Sequence, residues 1–416
     1  MLSTDEIKVK NKLIDLELPI ILFSRCSKEG IASASILAKT LQRLNKNFSL
    51  IFFNNLDDNK LTELKTHRSE QVVILDPLET EKIHNYLYLF RTEKTVSEKC
   101  FEVAKSIDSK NIDLIYLTLI SLENVNNKSL IEETENSGKV KRIKGLKILG
   151  SNTRPINKTI ELSIDPFIVS FSGSEENSIN LFKDSGISLK TAESWTCLMD
   201  LNELQIEKLI TSLSLNQYPI DELYETRFIL TDEKRNSPFK DVHEFSLFLE
   251  ACINCKKPSI AVAKCLNSIS FTNRSLELLK DYRQDIIKAL SLFYISKDDS
   301  IIKEKENCII INYKNLVSEN ILHKVVDLIQ NSKIYEKKKR IVAICQTQLE
   351  ELKCVISFFD NKSDANIKNL ISSLPGEIKV ENLENCIILN SSLDLENKIL
   401  ELILEHIESV RIEEIN

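Results

Sequence analysis

Short apolar runs alternate with amphipathic stretches over the first ninety residues. "LPIILFS", residues 18–24, is apolar enough for a buried strand. "EGIASASILAKTLQRLN" then sets Ile31, Ala34, Leu37, Ala38 and Leu41 on one helical face. "FSLIFF" predicts a second strand, "DNKLTELKTH" a short helix, and "QVVILDP" a third strand ending at Asp76-Pro77. This β-α-β-α-β order with short connections predicts a parallel sheet with right-handed crossovers. Functional crevices in such sheets lie at the carboxyl ends of the strands. Both the turn "SRCSKEG" and Asp76 fall at such ends, so the two should be neighbours in space.

Further on, "VSEKCFEVAKSI" predicts a helix, and "IDLIYLTLISL" a buried helix or strand. "SGSEENSINLF" starts a helix with Ser174 as its cap and acids in the first turn. From about 191 to 300 the pattern is almost wholly helical. Alternation returns after 305: "NCIIINY", "RIVAICQ", "ELKCVISFF" and "IKVENLENCIILNS" read as strands, with helices at 318–332, 364–374 and 394–411. The expected class is α/β, in three parts: a parallel-sheet domain over 1–190, a helical connector over 191–300, and a smaller α/β domain over 301–416.

Composition narrows the chemistry. The 416 residues allow two or three domains with substantial cores. No apolar run reaches the ~18 residues of a membrane span, and the charged N-terminus is unlike a secretory signal. An intracellular, cytoplasmic protein is expected. The formal charge of −7 disfavours a surface that coats nucleic acid throughout. With seven glycines the chain has no GxxxxGK[ST] and no GxGxxG, which removes P-loop hydrolases and Rossmann dehydrogenases. Ten cysteines sit mostly in apolar contexts. Cys252 and Cys255 form a single CxxC whose nearest histidine is His243, and a zinc site would need a second pair or more histidines. The pair reads as a helix position or, alternatively, as a metal or redox site.

At the first strand end, Glu29 and Asp76 are the carboxylates on offer, while His67 and His84 belong to polar flanks. Hydrolysis by two metals needs carboxylates and imidazoles converging on both ions. Arg25 works against this. A guanidinium keeps its proton, and one placed roughly 4 Å from a divalent ion costs on the order of 8 kcal/mol at an effective dielectric of about 20.

"ILFSRCSKEGIASASILAKTLQRLNKNFSLIFF" resembles the first motif of the DHH phosphoesterases, in particular the archaeal RecJ-like, GINS-associated branch. That motif is His-x-Asp-x-Asp-Gly followed by a small-residue helix. Here Arg25 stands for the His, Ser27 for the first Asp and Glu29 for the second, while Gly30 is kept. "VVILDP" is similar to the second motif and keeps its acid as Asp76. "NIDLIYLTLISLEN" resembles the segment ending in the fourth motif, with Asn124 in place of the Asp. Arg154-Pro155, Asp165-Pro166-Phe167 and Gly173-Ser174-Glu175-Glu176 match the RecJ-like branch, as does "PFKDVHEFSLFLEACINCKKPSIAVAKCL". The Asp-His-His motif has no counterpart between Asp76 and Ser97. The Gly-Gly-Gly-His motif of the DHH-associated domain should fall at 376–384, which reads "GEIKVENLE".

The resemblance implies a DHH-like domain, a connector and a DHH-associated-like domain. It implies a degenerate metal site at Arg25, Ser27, Glu29, Asp76 and Asn124, with no catalytic residue, metal or cofactor. The same family includes a nuclease-dead subunit of the eukaryotic CMG helicase. An archaeal, nucleoid-associated replication factor that binds GINS, and MCM through it, is therefore the expectation. A weak Mg- or Mn-dependent single-strand exonuclease and a non-catalytic guide for single-stranded DNA are the alternatives. The candidate DNA contacts are Arg142, Lys147, Arg154 and Lys158, with the basic run "EKKKR" (336–340) reading as a solvated turn or a further contact.

Overall fold

The computed structural model describes residues 2–54, 56–78, 83, 85–122, 128–191, 194–214, 224–295, 301–332, 339–357, 365–382 and 386–408. The chain forms two compact units. Met1–Leu146, Asn152–Arg154 and Tyr224–Lys280 make the first, and Lys147–Ser151, Pro155–Leu223 and Asp281–Asn416 the second.

In chain order, the first unit opens with α1 (Thr4–Asp15), β1 (Ile20–Arg25), α2 (Lys28–Arg43), β2 (Phe48–Phe53), α3 (Asp58–Lys65), β3 (Val72–Leu75) and β4 (Leu87–Leu89). α4 (Val96–Ile107), α5 (Tyr116–Ser121), α6 (Lys128–Asn136) and β5 (Val140–Leu146) follow. The second unit then contributes α7 (Ile156–Glu161), α8 (Glu175–Asp184) and α9 (Glu203–Ser214). The chain returns to the first unit with β6 (Tyr224–Leu230), α10 (Val242–Asn254), α11 (Pro258–Cys265) and the start of α12 (Thr272–Ile295). The remainder builds the second unit: β7 (Ile302–Glu304), β8 (Cys308–Asn312), α13 (Leu322–Asn331), β9 (Arg340–Gln346), β10 (Glu351–Ser357), α14 (Ala365–Ser373), β11 (Lys379–Asn382), β12 (Cys386–Ser392) and α15 (Glu396–Ile403).

The first sheet has the order β2-β1-β3-β4 and is parallel throughout, as the β-α-β-α-β pattern predicts. Its core strands are buried on both faces, which explains their unbroken apolar runs. α2 is buried from Gly30 to Ala38 because its residues are small enough for α4, α5, α10 and α11 to pack around it. Gly30 is fixed by space: a Cβ there would lie 2.0 Å from the Arg25 carbonyl oxygen. The second unit carries a six-stranded sheet, β11-β12-β10-β9-β8-β7, antiparallel except at β8–β9.

The structure settles one open reading, adds one strand and corrects one expectation. "IDLIYLTLISL" is helical, a 3₁₀ turn leading into α5. β4 is an addition that the sequence pattern does not predict. The wholly helical reading of 191–300 is corrected by β6, which pairs antiparallel with β5 as a two-stranded ribbon. β5 is "VKRIKGL", largely exposed and charged, so neither burial period marks it, and its partner lies some eighty residues away. Among the described residues no helix is long and apolar enough to cross a membrane.

Candidate functional site: a strand-end carboxylate cluster

β1 ends at Arg25, and Ser27 caps α2, its hydroxyl accepting the Gly30 N–H at 2.8 Å. β3 ends one residue before Asp76, which adopts φ +58°, a left-handed conformation that short polar side chains tolerate. The Asp76 N–H donates to the Leu89 carbonyl (2.9 Å), tying the turn to β4. Parallel pairing of β1 with β3 then sets the two strand ends side by side. The Ser27 hydroxyl donates to Asp76 Oδ2 at 2.6 Å, so the two neighbours expected from the sequence are in contact.

Glu29, in the first turn of α2, reaches α4. Its Oε1 accepts the Ser97 N–H at 2.5 Å. Ser97 is the second residue of α4, where unsatisfied amides and the helix dipole favour a carboxylate. The Ser97 and Ser121 hydroxyls lie 3.0 Å apart, extending the network to α5. Burial pushes the Glu29 carboxyl above the usual carboxylate range. The bonds from Ser97 and Ser121 oppose that rise, and the nearby Asp76 charge adds to it. Asp76 is also raised, again by burial, against the Ser27 bond and the positive fields of Arg25 and Arg91. Two carboxyls and two guanidiniums therefore share this strand end.

The other candidates fall elsewhere. Asn124 and His84 lie outside the described residues, as do residues 336–338 of the basic run. Arg142, on β5, has Nε 3.3 Å from Glu135. Arg154 is paired with the fully buried Glu244, which also accepts the Thr153 hydroxyl at 2.6 Å. In the second unit, Lys147 stands 3.8 Å from Asp165, and Lys158 bridges Glu161 (2.7 Å) and Glu175 (2.8 Å). All four candidate DNA contacts thus carry carboxylate partners. None of the ten cysteines forms a disulfide. Cys252 is buried in the last turns of α10, where burial pushes its thiol up, and Cys255 is half-buried at that helix end. His243 sits at the other end of α10, its Nδ1 3.7 Å from Asp241.

Sequence reasoning missed Ser97, Ser121 and Arg91. The capping box Thr95-x-x-Glu98 marks the start of α4 and could have flagged an anion-binding helix end. Nothing local says which carboxylate would occupy it.

Comparison with known proteins adds the fold class. A DHH-CID domain model matches residues 148–221. No curated protein matches the chain. Among solved structures, CDC45 from Entamoeba histolytica aligns over 98% of this chain and 99% of its own, with a TM-score of 0.65 at 10% identity. Exonuclease RecJ bound to manganese aligns over 99% and 96%, with a TM-score of 0.57 at 8% identity. RecJ from Thermus thermophilus in complex with Mn²⁺ gives a TM-score of 0.53 at 9% identity, the match covering 97% of this chain and 54% of that one. The chain has the fold of the RecJ-like DHH proteins. Within that fold it resembles CDC45.

That fold raises the question of manganese, and the residues at hand do not fit a metal pair. Ser27 gives its hydrogen to Asp76, Glu29 is held on the α4 N-terminus, and Arg25 adds a fixed positive charge. Among the described residues no three of His, Cys, Asp and Glu gather where they could hold an ion.

Proposed function

We propose that the chain is a non-catalytic DNA replication factor of the CDC45 type, which binds GINS and through it supports the MCM helicase. The observation that carries this reading is the re-use of the two carboxylates. Glu29 and Asp76 are spent on hydrogen bonds that join α2 to α4 and the N-cap of α2 to the turn after β3, while the surrounding fold is kept. Such a protein acts by its surface, in a stable complex. A stable interface buries roughly 1,200–2,000 Å² with an apolar centre, so it tolerates salt far better than phosphate contacts do. The test is co-elution of the purified chain with purified GINS on a sizing column, at about physiological and then several-fold higher salt. Co-elution under both conditions is expected. Independent elution under both would sink the assignment, and association only with DNA present would favour the guide for single-stranded DNA.

A second reading, a metal-dependent single-strand exonuclease of the RecJ type, has one observation in its favour. Asp76 keeps a left-handed backbone at the carboxyl edge of the sheet, and strain of this kind gathers at functional sites.

A further inference from the structure

Among the described residues no strand pairs with the outer edge of β5 in the β5–β6 ribbon. The Thr231 N–H donates to the Lys139 carbonyl at 3.0 Å, and the same register continues through the ribbon. Hydrogen-bonded and non-hydrogen-bonded pairs alternate along an antiparallel ladder. Lys141, Ile143 and Gly145 therefore turn their backbone groups toward β6. The N–H and C=O of Arg142 and Lys144 point outward, where they meet no backbone partner among the described residues.

That edge is cationic in a chain of net charge −7. Lys139, Lys141, Arg142 and Lys144 fall within six consecutive positions, and the last three are exposed. Lys141 has no carboxylate within 4 Å among the described residues. Lys144 lies over the Tyr224 ring, 5.4 Å from its centroid. Lys139 and Arg142 do have partners, Asp232 and Glu135, but Asp232 is 72% exposed and Arg142 52%. Pairs of that kind contribute at most about 1 kcal/mol and exchange readily. Cations along an open edge ordinarily repel another strand. They admit one whose own side chains are acidic, because opposite charges directly across a ladder attract.

We propose that the outer edge of β5 captures an acidic, extended segment of a partner polypeptide by strand addition. The added strand hydrogen-bonds to the outward groups of Arg142 and Lys144. Side chains alternate between faces, so acidic residues two apart would stand opposite Arg142 and Lys144 on one face. The residue between them would stand opposite Ile143, where a β-branched apolar side chain fits.

The probe is a fluorescein-labelled seven-residue peptide, the length of β5, in which Glu and Val alternate. It is titrated into the full chain and followed by anisotropy. Saturable binding at about 100 μM or tighter is expected. It should weaken about tenfold or more when Lys replaces Glu in the peptide, when alternate peptide amides are N-methylated, or in Arg142→Glu/Lys144→Glu protein. Hydrogen exchange at the Arg142 and Lys144 amides should slow when the peptide is added. The N-methylated peptide needs no protein variant, so a folding defect cannot mimic its result. Absence of binding would overturn the proposal, as would binding indifferent to N-methylation. A labelled oligothymidine that binds this edge more tightly than the peptide would reassign it to nucleic acid.

Discussion

At the scale of single residues, burial and pairing make opposite demands on the carboxylates. Glu29 has its pKa raised, chiefly by burial. A raised pKa means that the folded state prefers the protonated form. Its stabilising contribution is then present below the ordinary Glu value and is lost as pH rises through the folded-state value. Gln at 29 keeps an oxygen for the Ser97 N–H and carries no charge. The stability of Glu29→Gln relative to the parent should therefore grow as pH rises from about 4 toward 7, in urea titrations at stepped pH. A gap that shrinks with rising pH would mean that the α4 N-terminus stabilises the charge more than burial penalises it. Arg227 shows the paired case. Its side chain is fully buried, giving Nε and Nη2 to Asp241 (3.0 and 2.5 Å) and Nη1 to Glu225 (2.5 Å). Burial would lift the Asp241 carboxyl, but Arg227 with His243 outweighs it and holds the group below its ordinary range. Arg227→Met strands that charge and should cost about 3–5 kcal/mol by urea unfolding. Adding Asp241→Asn should restore part of the loss, since Asn removes the charge and still caps α10.

At the scale of elements, the junction of β1 with α2 is the tightest point of the site. Gly30 permits the first turn of α2 to lie on the Arg25 carbonyl, where any Cβ would clash with backbone that cannot swing aside. Gly30→Ala should destabilise by about 1–3 kcal/mol or more. It should also lengthen the Ser27–Asp76 contact, visible as a shifted Asp76 carboxyl resonance. Much of this junction was legible in sequence. Apolar runs fixed β1 and β3, and parallel pairing put their carboxyl ends together, so the turn "SRCSKEG" and Asp76 could be placed side by side without coordinates, though not the Ser27 hydroxyl as the group in contact. The Glu29–Ser97 bond could not, because its partners are 68 residues apart and several helix N-termini could have taken the carboxylate. The β5–β6 ribbon was hidden for a different reason. A strand solvated on its charged positions shows no alternation, and its pairing depends on a partner the local sequence does not reveal.

At the scale of the whole molecule, the two functional readings differ in what the strand-end cluster is for. If it is structural, removing Asp76 removes a hydrogen bond and a charge but no chemistry. If it is catalytic, the same change removes turnover. A guanidinium near Asp76, a serine that hydrogen-bonds to the carboxylate and a glutamate tied to a helix end all favour the structural case. Purified chain incubated with 5′-labelled single-stranded DNA or RNA, with Mn²⁺ or Mg²⁺, should release no shortened product above a protein-free control. Asp76→Ala should match the parent in this assay and differ from it only in stability. Its folded state would lack both the Ser27 bond and the cost of burying the carboxylate, so the net change should be small. Turnover by the parent that Asp76→Ala abolishes, while circular dichroism shows the variant folded, would replace the replication-factor reading with the exonuclease.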